Sequence, residues 1–160
     1  DIGEAKSRTA DILDEYKISG KILVSGSGLS LDSLLSNVDK GDYLGIMAYV
    51  PQTPQVNSLL NNLREQVTKR YGIATTLGYG PRFLHSTGQL HKGGSANGVF
   101  LQIIGQSVKD VSVPGEAYTL NMLTEAQALG DFKALAEKGR RVGTVRIHEN
   151  LLAGISKITL

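Results

Sequence analysis

Along this chain the spacing of apolar residues changes period several times, and each change marks an element. Residues 2–18 are polar with Ala5, Ile12, Leu13 and Tyr16 at roughly helical spacing, which predicts an amphipathic helix. "KILVSGSGLS" (21–30) reads as a short strand or a loop, and "LDSLLSNVDKGD" (31–42) as a short helix closed at Lys40-Gly41. "YLGIMAYV" (43–50) is continuously apolar, the pattern of a strand buried on both faces in a parallel sheet. The helix that follows has both ends marked. Thr53 suits its cap, Pro54 its first position and Gly72 the position just past its end. Between them Val56, Leu59, Leu60, Leu63 and Val67 form one apolar stripe.

"IATTLGYG" (73–80) and "GVFLQIIG" (98–105) read as the second and third strands, and Pro114-Gly115 as a turn. A long helix runs from about Thr119 to Lys138, with Leu120, Leu123, Ala126, Leu129, Phe132 and Ala136 expected inward and Gly139 ending it. "RVGTVRIH" (141–148) is a fourth strand, and "NLLAGISKITL" (150–160) a terminal helix or frayed tail. Strands alternating with helices imply a mainly parallel sheet with right-handed crossovers and a helix layer on each face. The expected fold is therefore an α/β three-layer sandwich, one domain over residues 1–160, with no internal repeat.

Composition narrows the chemistry. With 160 residues, 41% hydrophobic and 20% charged, the chain can bury a real core and is not of disordered composition. It has no cysteine, so disulfides, cysteine-ligated zinc and thiol nucleophiles are excluded. No apolar run approaches the ~20 residues of a membrane span, and no secretory leader opens the sequence, which suits a cytoplasmic protein without membrane contact. Asp1 stands where an initiator Met is expected, which suits a processed protein or an excised domain.

Net charge is only +2, but it is unevenly spread. Residues 1–42 hold eight acids and five bases, whereas no acid lies between Glu65 and Asp110 and Lys69, Arg70, Arg82, Lys92 and Lys109 all do. Lys69 and Arg70 suit the C-terminal end of a helix. Arg82 and Lys92 have no such explanation. They fall in "GYGPRFLHSTGQLHKGG" (78–94), which packs five glycines, two histidines, Arg82, Gln89 and Lys92 into seventeen positions.

This motif begins where a predicted strand ends, and open parallel sheets bind ligands beyond the carboxyl ends of their strands. Gly78 and Gly80 permit close backbone approach. Ser86 or Thr87 can cap a short helix whose free N–H groups favour an anion, and Arg82 offers a planar fork for phosphate or carboxylate. His85 and His91 are the side chains that titrate near neutrality, although either can equally serve a structural hydrogen bond. Six residues apart, they cannot share a helical face, and no metal site is expected. "SGSGLS" lacks the spacing of a phosphate-binding P-loop or a dinucleotide fingerprint, and Ser86 is not in a nucleophile elbow. Without aromatic interleaving or a dense basic stripe, nucleic-acid binding is not expected.

"GPRFLHSTGQLHKGG" followed by "GVFLQI", with "GDYLGIMAYVPQTP" upstream and "AQALGDFKAL" downstream, closely resembles the C-terminal part of bifunctional transaldolase/glucose-6-phosphate isomerase fusion proteins. The likeness runs from about Gly41 to Val145, some two thirds of the chain. In that family the region is the second SIS (sugar isomerase) subdomain, a flavodoxin-like α/β/α sandwich of carbohydrate metabolism, shared by glycolysis, gluconeogenesis and the pentose phosphate pathway. The resemblance implies isomerisation of glucose 6-phosphate to fructose 6-phosphate without a cofactor. It implies Arg82 as the cation facing an enediolate, His85 or His91 assisting ring opening, and Ser86, Thr87, Gln89 and Lys92 on substrate oxygens. It also implies partners: a first SIS subdomain, a transaldolase domain of the same polypeptide, and a second subunit.

Two departures limit that implication. Glucose-6-phosphate isomerases carry a catalytic glutamate before the corresponding Gly-Gln-His segment, whereas here the acid-free stretch leaves Glu116 as the nearest downstream glutamate, with nothing tying it to the motif. The family also grips phosphate mainly with Ser/Thr loops of the first subdomain, which this chain lacks. The chain is thus expected to supply part of an isomerase site. Two other readings are a non-catalytic sugar-phosphate-binding module and an assembly domain using exposed helix faces.

Overall fold

A computed structural model of the chain describes residues 2–19, 31–105, 109–148, 150–158 and 160; the side chains of Ile2, Glu4, Ala5, Lys6, Leu84 and His85 are outside that description. The stretch 21–30, with its strand-or-loop reading, lies outside the described residues.

Four strands form the sheet: β1 (Tyr43–Tyr49), β2 (Ala74–Tyr79), β3 (Gly98–Gly105) and β4 (Arg141–Ile147). All pairings are parallel, in the order β2-β1-β3-β4. The apolar runs of β1 and β3 are central, and every residue of β3 is buried, as strands covered on both faces must be. Edge strand β2 is mostly half-exposed. Helices α1 (Ile2–Ser19), α2 (Leu31–Ser36), α3 (Pro54–Tyr71), α4 (Thr87–Gly93), α5 (Leu120–Glu137) and α6 (Leu151–Ser156) complete the chain, with a 3₁₀ turn at Arg82–His85. No helix among the described residues is long and apolar enough to cross a membrane.

Strand alternation sorts the core into two layers. Leu44, Ile46 and Ala48 of β1, with Val99, Leu101 and Ile103 of β3, meet Leu34, Leu35, Val56, Leu60, Leu63, Val67 and Ile155 from α2, α3 and α6. On the opposite face Met47, Tyr49, Phe100 and Ile104 pack with Phe83, Ala128 and Leu135. The result is a three-layer α/β/α sandwich. From β1 the chain steps to β2 through α3 on one face. It then crosses back over β1 to β3 through α4 on the other. Reversing both direction and face keeps the hand of the crossover constant.

The end signals of α3 act as the sequence suggests. Thr53 Oγ1 accepts from the Val56 N–H at 3.2 Å, and Gly72 takes the left-handed conformation (φ 68°). α5 departs from its expected single stripe: Leu120 is exposed, as is Ala136, while Ala128, Gly130, Asp131 and Leu135 are buried. The reason is that α5 is covered twice, by the sheet on one side and by α1 on the other, where Ile12 and Leu13 meet Ala126 and Leu129. A Cβ on Gly130 would stand 3.2 Å from Thr9 Oγ1, so its absence gives α1 room to approach.

Close packing over β1 yields a stability test. A Cβ at Gly45 would lie 2.8 Å from the buried Phe100 ring, while one at Gly93 meets nothing within 4 Å. Gly45→Ala is expected to cost about 1–3 kcal/mol through overpacking. Gly93→Ala should be neutral or stabilising by up to about 1 kcal/mol, because it restricts the unfolded chain. Urea denaturation compares them, and equal midpoints would contradict the packing argument.

Candidate functional site

Where successive connections leave neighbouring strands in opposite directions, a crevice opens at the carboxyl edge. Here that point lies between β1 and β3. A cavity of about 230 Å³ occupies it, lined by Tyr49, Val50 and Pro51 after β1, Gly80 after β2, Ile104 and Gly105 of β3, and Leu120, Asn121, Thr124 and Glu125 of α5. Small-molecule sites commonly enclose roughly 300–1,000 Å³, so this is a partial site in size.

Only the beginning of the glycine-rich motif belongs to that edge. A strand end at the start of the motif suggests that residues 78–94 as a whole sit at this edge; they do not, because α4 is itself the crossover and descends the sheet face toward the start of β3. At the upper end Gly80 lets the Tyr49 ring pack directly against the backbone. Arg82 is exposed and donates to Oε1 of Gln52, the residue after cavity-lining Pro51. Among the described residues it has no acidic partner: Glu116 pairs with Lys17 at 3.5 Å, and Asp110 accepts from the N–H groups of Val111 and Asn121.

Ser86 precedes α4, but its hydroxyl turns back to the Phe83 carbonyl and does not cap the helix. Ser86 and Thr87 are exposed, and Gln89 is half-buried. The His85 side chain is outside the described residues.

His91 and Lys92 lie lower on the same helix and are buried in the core. His91 Nδ1 shares a 3.0 Å hydrogen bond with the Tyr43 hydroxyl at the amino end of β1, and its ring packs 4.9 Å from Phe100. Burial, with the Lys92 charge adding to it, holds the His91 imidazole below its ordinary range. Lys92 Nζ pairs with Asp131 Oδ1 of α5 at 2.6 Å, the two side chains being 3% and 0% exposed. The Tyr49 hydroxyl donates to the other Asp131 oxygen. Burial pushes the Asp131 carboxyl up, while Lys92 and Tyr49 pull the other way. Arg140 donates to the carbonyls of Lys92 and Gly94, closing the C-terminal end of α4. Thus Arg82 is exposed and close along the chain to cavity-lining Gly80, while His91 and Lys92 are committed to architecture.

Glu125 is the carboxylate that sequence spacing did not bring forward. It lies 60 residues past Glu65 and 9 past Glu116, yet it lines the cavity. Both Nε (3.1 Å) and Nη2 (2.7 Å) of Arg146 donate to its Oε1. A signal existed: an arginine inside a strand covered by a helix requires an acceptor. His148, at the end of β4, lines a separate cavity beside α6.

No protein-family model matches the chain, and comparison with curated proteins gives no sequence match. Among solved structures it is similar to a hypothetical protein, TT0462, of Thermus thermophilus, with TM-score 0.58 and 22% identity. That similarity covers 71% of this chain and 34% of the other, so the chain spans about a third of that structure. It shows an α/β fold and nothing of the chemistry.

Two measurements test the buried roles. Lys92→Met leaves Asp131 unpaired and is expected to cost about 3–5 kcal/mol. Adding Asp131→Asn removes the stranded charge while still accepting from Tyr49, so the double variant should recover at least half of that loss. Failure to recover would show that the pair is not the source of the stability. Because the folded state disfavours the charged form of His91, the unfolded chain takes up a proton more readily once pH falls below 6.5. Stability should therefore fall as pH drops from about 6.5 toward 5, and His91→Phe should flatten that slope. Denaturant midpoints across this window decide it.

Proposed function

We propose that this chain is one α/β lobe of a sugar-phosphate aldose–ketose isomerase of the transaldolase/glucose-6-phosphate isomerase fusion type, acting between glucose 6-phosphate and fructose 6-phosphate. The observation that carries the reading is Arg82, two residues past cavity-lining Gly80 and hydrogen-bonded to Gln52 beside cavity-lining Pro51, with only that neutral partner among the described residues. The motif resemblance, Gly80 beside the cavity and the partial size of that cavity all support a site completed by another lobe. Partners in this reading are the first SIS subdomain and transaldolase domain of one polypeptide, and a second subunit.

Arg82 serves as the cation for phosphate or a developing enediolate. His85, Ser86, Thr87 and Gln89 remain candidates around the same end of the motif, whereas the buried His91 and Lys92 position α4. That withdrawal also favours a second reading, a sugar-phosphate-binding or assembly lobe without chemistry of its own.

The 160-residue chain alone is expected to show negligible isomerase turnover, since the motif has no glutamate near it in sequence and the family's phosphate loops belong to the first subdomain. A coupled assay giving on the order of 10 s⁻¹ would overturn the partial-site reading. Titration with fructose 6-phosphate then compares wild type with Arg82→Ala. A hydrogen bond to a charged group contributes roughly 1.5–3 kcal/mol, so affinity should fall about ten- to over a hundredfold at unchanged melting temperature. Unchanged affinity with a lowered melting temperature would make Arg82 a loop pin.

A further inference from the structure

A carboxylate lines the cavity, whereas the motif brings an exposed arginine. Among the described residues lining the cavity, the one charged side chain is Glu125. Its side chain is 13% exposed and cannot turn away, because Arg146 holds Oε1 through two N–H groups. No described residue donates to Oε2, which is not among the buried unpaired atoms and so reaches solvent. A second carboxylate, Asp110, sits at the start of α5 and accepts from the N–H of cavity-lining Asn121. Arg146 balances the Glu125 charge, so among the described residues the α5 side of the cavity offers a phosphate dianion no uncompensated cation. Arg82, on the β2 side, favours one.

We infer that the switch-point cavity takes the hydroxylated end of a polyol phosphate, with Glu125 Oε2 accepting hydrogen bonds from its hydroxyls and the phosphate turned outward to Arg82. The inference rests on the sugar-phosphate reading above for the ligand's identity, but the hydroxyl preference rests on Glu125 alone. An ionised carboxylate only accepts hydrogen bonds, which suits it to hydroxyl donors. The Thr124 hydroxyl donates to the Leu120 carbonyl at 2.9 Å, so its oxygen remains an acceptor for a second hydroxyl. Leu120, 49% exposed beside them, offers an apolar surface to the C–H face of a sugar.

Amide chemical-shift titrations of the 160-residue chain with three separate probes test this: fructose 6-phosphate, sorbitol and inorganic phosphate. Fructose 6-phosphate and sorbitol should both shift the amides of Gly105, Asn121, Thr124 and Glu125. Inorganic phosphate should shift the Arg82 region and leave those four unmoved. Glu125→Gln keeps an oxygen for Arg146 but replaces a charged acceptor, and should weaken fructose 6-phosphate about tenfold without weakening inorganic phosphate. Fructose 6-phosphate shifting only the Arg82 region would overturn the inference and leave the sugar-phosphate reading standing. Sorbitol shifting the α5 amides while fructose 6-phosphate binds nowhere would support the hydroxyl site and sink the sugar-phosphate reading. No cavity shift with any probe at tens of millimolar, or equal weakening of phosphate and fructose 6-phosphate in Glu125→Gln, would overturn the inference.

Discussion

A parallel sheet cannot leave either face in water, and that constraint organises this molecule. With β1 and β3 buried on both faces, helices must cover the two sides. Connections of one hand can do so only by reversing direction once, between β1 and β3. That reversal puts α3 on one face, α4 and α5 on the other, and a crevice above the central strands. The cavity is therefore a consequence of covering the sheet, and the loops around it inherit their positions from strand ends.

The second organising contact is the buried group of Lys92, Asp131 and Tyr49. Removing two charges from water is expensive, so an apolar substitute would often pack as stably. What the ion pair supplies is a directional link between three elements: the short crossover helix, α5 and the carboxyl end of β1. With seven residues, α4 has little surface with which to fix its own position. The ammonium–carboxylate bond, the Tyr43–His91 hydrogen bond and the Arg140 cap pin it at both strand edges. Tyr49 reaches from this group to the wall of the cavity, so the same bond that holds α4 also sets one surface of the crevice.

Charge around the crevice is then divided by element. The stretch from Glu65 to Asp110 contributes only bases, but α5 brings Glu125 to the opposite wall and Asp110 to its own first turn. The cavity wall itself carries one carboxylate among its described residues, held by Arg146 of β4. The small volume leaves room for a neighbouring lobe to provide the rest.

The α/β class, the four strands and the ends of α3 were legible in the chain itself, because they depend on local signals: apolar period, caps and glycines with positive φ. So was the shortage of acidic neighbours around Arg82, since no acid lies near it along the chain. Long-range packing set the remainder. His91 and Lys92 are indistinguishable in sequence from Arg82 as polar members of a glycine-rich loop. Lys92 is a core residue because Asp131, 39 positions past it, lies across from it on α5, and His91 because Tyr43 and Phe100 receive its ring. Leu120 and Ala136 broke the expected stripe because α1 covers a second side of α5. Glu125 entered the cavity because β4 places Arg146 beside it. Each of these outcomes turns on which distant side chain neutralises a buried charge or covers a helix face. No local period records that partner.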